Sequence, residues 1–260
     1  MEDLMFSTDF LTEFEIVDSS KFNILVLILK PRKTKEFFLA NIFGKTSLGL
    51  VKQSVAKHKA IEIDVNSDDN LFEIAKKHAK ECDFVVCLYA DAPLLTRENV
   101  EDAIEYAITK NMDYVKLPRG AIFKSSALNR GVVETSCNVE FLAKENFLSV
   151  FDERSLAFVK DKIHEQILQR HLLNGVRIES PKTTQIDFDV EIVSGVQVFS
   201  NCVLRGHTKI EKGCMLFENN VIENCLINQN CKIICSVLKN CTIESGKEIG
   251  PFANIVGDKK

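Results

Sequence analysis

The sequence has no block of basic residues, no long apolar run and no C-x-x-C pair. Each absence removes a class of function. Net charge is -4 and the 33 basic residues are scattered among 37 acidic ones, so nucleic acid is not an expected partner. Apolar stretches such as Ile24 to Leu29 are far too short to span a bilayer, and no membrane association is expected. The start, Met1-Glu2-Asp3, is acidic and unlike a secretory signal, which points to a cytoplasmic location. Nine cysteines without C-x-x-C spacing argue against a zinc site. Cys202, Cys214 and Cys231 each fall four residues after an aliphatic of a repeat described next, a position for a small buried side chain. They read as structural thiols in a reducing compartment.

What is present is a period. Ile186, Ile192, Val198, Leu204, Ile210, Leu216 and Ile222 lie six residues apart. Steps of five then lead to Ile227, Leu238 and Ile243, and steps of six complete the set at Ile233, Ile249 and Ile255. A helix repeats at 3.6 residues and a strand at 2, so neither accounts for sixes. A parallel β-helix does: each short strand turns a corner after six residues and sends one aliphatic inward. Three faces per coil make roughly four coils. Nothing before Ile186 repeats, so a second kind of domain is expected upstream. A length of 260 residues accommodates both.

The upstream half alternates strand and helix patterns. Asn23 to Leu29 and Phe84 to Tyr89 read as buried strands, and Ile61 to Val65 as a third. Ser47 to His58, Leu71 to Cys82 and Glu98 to Thr109 carry helical spacing, the last with Thr96 as N-cap. A parallel sheet with crossover helices is the economical topology. Ala121 to Phe123 is a short strand, followed by a turn or helix at Ser125 to Leu128. Val132 to Glu134 and Asn138 to Leu142 are candidate strands, and residues 1–20, rich in Phe, a strand or short helix that packs on the body. Ser155 to Leu173 is a long helix stopped by Asn174-Gly175. The boundaries drawn from these patterns are 1-154, a reduced α/β domain; 155-178, a linking helix; and 179-260, the β-helix.

One polar residue stands out. Asp91 follows a buried strand and precedes Pro93, and ligands of open α/β sheets bind beyond the carboxyl ends of strands. It can hold Mg²⁺, or it can cap a helix or close a turn. The five histidines show no nucleophile–base arrangement.

Three stretches resemble one family. His171-Leu172-Leu173-Asn174-Gly175-Val176, continued by Ser180-Pro181-Lys182-Thr183-Thr184-Gln185-Ile186-Asp187-Phe188-Asp189-Val190-Glu191-Ile192, is similar to the helix end and first coil of the bifunctional N-acetylglucosamine-1-phosphate uridylyltransferase/glucosamine-1-phosphate acetyltransferases. Tyr89-Ala90-Asp91-Ala92-Pro93-Leu94-Leu95-Thr96 resembles the same family's Y-G-D-x-P-L-[IL]-T, and Ile249-Gly250-Pro251-Phe252-Ala253-Asn254-Ile255 its I-G-P-F-A-x-[IL]. The resemblance implies a nucleotidyltransferase-type (Rossmann-like) mixed-sheet α/β domain, a left-handed parallel β-helix, and a homotrimer formed through that helix. It also implies Mg²⁺ on Asp91, Tyr89 near a nucleotide or nucleotide-sugar, and attack of a sugar 1-phosphate on the α-phosphate of UTP.

The departures are as specific as the matches. Where the family has L-x-x-G-x-G-T-x-M, this chain reads Leu27-Ile28-Leu29-Lys30-Pro31-Arg32-Lys33-Thr34-Lys35. Both glycines are gone and Pro31 removes an N–H donor. Lys30, Arg32 and Lys33 could still meet a phosphate as point charges. Counting from Gly44-Lys45, the family's catalytic lysine falls near Phe37. The base-reading and sugar-binding segments have no counterpart. The second Mg²⁺ ligand aligns with Phe151, whose ring cannot coordinate a hard cation, with Asp152 one residue away as the candidate substitute. The family's acetyl-coenzyme A site lies on coils beyond Ile255, so acetyl transfer is not expected. Two readings follow: a binding or scaffolding homologue that has lost catalysis, and a minimal Mg²⁺-dependent nucleotidyltransferase built on Asp91 and the basic loop.

Overall fold

The computed structural model describes residues 19–138 and 144–258. The expectations for residues 1–18 and for most of Asn138 to Leu142 lie outside these. The chain forms two compact units: residues up to 35 with 50–149, and residues 36–49 with 150–260.

The first unit is an α/β sandwich around a six-stranded sheet. Its strands are β1 (Ile24–Pro31), β2 (Lys59–Val65), β3 (Phe84–Tyr89), β4 (Tyr114–Leu117), β5 (Gly120–Lys124) and β6 (Ser136–Asn138), in the order β2-β1-β3-β5-β4-β6. β1 pairs in parallel with both β2 and β3. β5 runs antiparallel to β3 and to β4. The sheet is therefore mixed, as the resemblance implies; the parallel pairing expected from the strand–helix alternation holds for β1, β2 and β3 and gives way at β5. The reason is local: β4 and β5 are joined by Pro118 and Arg119 alone, and a connection that short makes a hairpin, never a crossover. Val132 to Glu134 is not a strand; the strand begins at Ser136. β1 is buried along Ile24–Leu29 because helices cover both faces of the sheet. One face packs Leu25, Leu27, Leu29, Val85 and Cys87 against Ala75, Ala79 and Leu128. The helices are α1 (Ser47–Ser54), α2 (Leu71–His78), α3 (Arg97–Thr109) and α4 (Ser125–Arg130). Thr96 caps α3 as expected, its hydroxyl accepting from the Asn99 amide at 3.2 Å.

The second unit is a parallel β-helix with α5 (Glu153–Leu173) and a small hairpin, Asn41–Ile42 with Lys45–Thr46. Short strands stack in three sheets, all parallel, and Ile186, Leu204, Ile222, Leu238 and Ile255 lie in one register. The repeat aliphatics from Ile186 to Ile243 are buried. Arg177–Ile178 already pairs with Gln197–Val198, so the stack begins one strand before the period becomes visible. The coil shortens from 18 residues (Gln185 to Val203) to 16 (Val221 to Val237), which the five-residue steps encode. Corners are turned by Asn201, Asn219, Asn224, Asn230 and Asn240, all at positive φ, which asparagine tolerates. Asn201 and Asn224 also donate to the asparagine one coil away, Asn219 and Asn240, at 3.1 and 3.3 Å. Cys202, Cys214 and Cys231 are fully buried, each thiol 3.0 Å from a backbone carbonyl. Burial pushes the Cys202 and Cys214 thiols up to about 11, as inert packing groups require.

His171, near the end of α5, is buried, and its Nδ1 has no hydrogen-bond partner. Burial, with a smaller push from the Arg170 guanidinium, lowers its pKa to about 4. The unfolded chain binds this proton near pH 6.5 and the folded one only near 4. Stability is therefore intact above 6.5 and falls through the interval down to 4, by about 3 kcal/mol in total. Urea titrations across that interval should show this acid limb in the parent protein and its loss in His171→Leu.

Candidate functional site

The carboxyl edge of the α/β sheet gathers Lys30, Arg32, Lys33, Tyr89 and Asp91. Leu29 lies opposite Tyr89 and the Ala90 amide donates to the Leu29 carbonyl at 2.8 Å. The loops that follow β1 and β3 therefore leave the sheet side by side. Lys30 and Pro31 end β1, Arg32 and Lys33 sit exposed in a single 3-10 turn (Arg32–Thr34), and Asp91 begins the turn after β3.

Asp91 is completely buried. Both of its oxygens accept from Arg119: Nε to Oδ1 at 3.1 Å and the terminal nitrogen to Oδ2 at 2.7 Å. The guanidinium lies over the Tyr89 ring, 4.1 Å from its centroid. Burial raises the Tyr89 hydroxyl pKa, and the Arg119 charge pulls it back. Arg119 arrives on the β4–β5 hairpin, and Gly120 after it makes the approach feasible. A Cβ there would stand 2.2 Å from the Cys87 carbonyl oxygen, at a φ of +138°. Sequence reading missed Arg119. The signal that could have found it is a Pro-Arg-Gly turn between two short apolar strands.

Lys30 is also engaged. It bridges Glu62 and Asp64 on β2 at 3.2 and 3.3 Å, and these hydrogen bonds, Glu62 first, raise its pKa. Glu62 meets Lys52 as well, which lowers its own.

A magnesium ion approaching Asp91 would meet a carboxylate whose two oxygens already hold a bidentate cation. Among the described residues no group of three His, Cys, Asp or Glu side chains is placed to hold a metal. In the second unit Phe151 is exposed, and Asp152 caps α5, its Oδ1 accepting from the Ser155 amide at 2.7 Å. Hydrogen bonding to Ser155, its side chain first and its capping amide second, lowers the Asp152 pKa.

The described chain thus combines a mixed α/β sheet unit, with a buried aspartate at the end of a central strand, and a parallel β-helix unit. No family model matches the chain. The chain is 35% identical over 114 residues to the bifunctional protein GlmU of Streptococcus thermophilus, covering 44% of this chain and 25% of that protein. It is 29% identical over 174 residues to bifunctional protein GlmU of Clostridium botulinum, covering 67% and 34%. Among solved structures, molybdopterin-guanine dinucleotide biosynthesis protein A from Archaeoglobus fulgidus shares 12% identity at a TM-score of 0.42, over 54% of this chain and 99% of its own. The chain is thus a partial homologue of the GlmU proteins, and it spans between a quarter and a third of the length of these two.

Arg119→Ala would strand a buried carboxylate, at a cost of about 3 kcal/mol, the low end for such pairs because Arg119 is a third exposed. The double variant Asp91→Ala/Arg119→Ala should recover part of that loss in a chemical-denaturation cycle. Strict additivity would show that the pair is not coupled.

Proposed function

We propose that this chain is a sugar-phosphate nucleotidyltransferase-like protein that has lost nucleotidyl transfer and serves as a binding or scaffolding subunit. The observation that carries this reading is the bidentate Arg119 clamp on Asp91. Phosphoryl transfer depends on cations aimed at the phosphates, and each such contact contributes on the order of 2–4 kcal/mol. Here the carboxylate available to recruit a metal is neutralised by protein, and Lys30 is shared between two carboxylates. Pro31 replaces a backbone donor, Phe37 stands where the family's catalytic lysine would be, and Phe151 where its second metal ligand would be. Mg²⁺ is not part of the working protein on this reading. The nine free cysteines suit a reducing, cytoplasmic setting, and no helix among the described residues is long and apolar enough to cross a membrane.

The test is isothermal calorimetry of UTP, CTP and UDP-N-acetylglucosamine with and without Mg²⁺, on the parent and Asp91→Ala. No Mg²⁺-dependent heat that requires Asp91 is expected. Such a heat would establish the alternative, a minimal enzyme that opens the Arg119 clamp, and pyrophosphate release would then be measurable.

Assembly is part of the same proposal. Three β-helices associate through outward-facing Val203, Leu226 and Val237, of which Leu226 is 37% exposed. An apolar side chain on an outward rung is what such an interface buries. Sedimentation at micromolar concentration should give a trimer that Leu226→Lys weakens; a monomeric parent would refute it.

A further inference from the structure

The opposite, amino edge of the same sheet borders a cavity of 650 Å³. Parallel pairing creates it: Ile24 lies opposite Phe84 and Leu25 opposite Lys59, so β1, β2 and β3 all start there. Phe22, Ile24, Leu25 and Ile61 give it an apolar side. Lys57 and Lys59 enter from the segment leading into β2, Lys77 from the end of α2, and Lys80 from the 3-10 turn Ala79–Glu81.

The charge here is unlike that of the chain as a whole, which is net acidic. Glu81 is the one acid among the lining residues. Nearby Glu101 is engaged by His58 at 3.1 Å and Lys57 at 3.9 Å, and Asp83 accepts the Asn23 amide at 2.8 Å. Lys59, Lys77 and Lys80 form no ion pair among the described residues. The helix dipole accounts for a lysine at the end of α2. It does not account for Lys57 and Lys59, delivered to the same cavity by the segment leading into β2.

We propose that this cavity binds a small molecule bearing two or three linked phosphates, with its apolar part against Phe22 and Ile61. Ammonium groups are point charges that meet phosphate oxygens without a fixed geometry, and three with no ion pair among the described residues match a di- or triphosphate. The volume suits a nucleotide-sized ligand, and the apolar side gives a reason for an organic portion. This site is separate from Asp91 and from the reading built on it.

The test is calorimetry at low ionic strength, without divalent metal, using inorganic tripolyphosphate and ATP. Both should bind, ATP more tightly. Lys59→Ala/Lys80→Ala should weaken both by at least about tenfold. Phe22→Ala should weaken ATP and leave tripolyphosphate unchanged. Unchanged melting temperatures in the variants show that a lost heat is lost binding. The proposal is overturned if neither probe binds the parent protein. It is equally overturned if the lysine pair is indifferent, if Arg32→Ala/Lys33→Ala at the other edge abolishes binding instead, or if only an acidic peptide binds.

Discussion

A carboxylate with no exposure to water must be matched by a cation or lose its charge, and at the end of β3 that constraint is met by Arg119. Much of the carboxyl edge follows from it. The guanidinium must reach Asp91 in a bidentate pose, so the β4–β5 hairpin that carries it has to run alongside β3. That closeness leaves no space for a side chain at the next residue, which is Gly120. The face of the guanidinium turned from the carboxylate rests on Tyr89, which supplies an aromatic surface where a water-exposed charge would otherwise lie. One ion pair therefore ties together the hairpin, the glycine and the tyrosine, and it neutralises the carboxylate at the edge where an open α/β sheet ordinarily binds its ligand.

The β-helix obeys a different constraint, in which periodicity takes the place of charge. Each rung exposes one residue and buries the next, as in Leu226 and Ile227, so a single aliphatic per corner suffices to build the core. Because that demand is local and repeated, it was almost entirely legible: the thirteen aliphatics read from the sequence are the stacked positions, and the five-residue steps mark the shortened coils. Asn at the corners and Cys beside the core complete the same local grammar.

The α/β unit was legible where burial alone decides. Phe84 to Tyr89 is a strand at its predicted ends, and the helix capped by Thr96 begins within one residue of its expected start. What could not be read was orientation and pairing. Tyr114 to Leu117 alternates too briefly to stand out, and a strand's apolar pattern is the same whichever way its neighbour runs. The same limit applied to the site. Asp91 was found because its place after a buried strand is a local feature. Its partner Arg119 is 28 residues away, and the Lys30 bridge to Glu62 and Asp64 depends on the β1–β2 register. Lys30, Arg32 and Lys33 looked equivalent in sequence, whereas in the structure Lys30 is spent on carboxylates and the other two remain exposed.

The two edges of the sheet thus divide the charge unequally. At the carboxyl edge Asp91 meets Arg119, and Glu62 and Asp64 meet Lys30 and Lys52, while Arg32 and Lys33 stay exposed. At the amino edge, lysines converge on an apolar-sided cavity with few acids to match them. Surface ion pairs are individually weak, so matching at one edge is not needed for folding and mismatching at the other is not forbidden by it. Distribution of charge at this scale bears on what a surface can bind. The lysines around that cavity, without an ion pair among the described residues at Lys59, Lys77 and Lys80, are therefore not explained by what holds the sheet together.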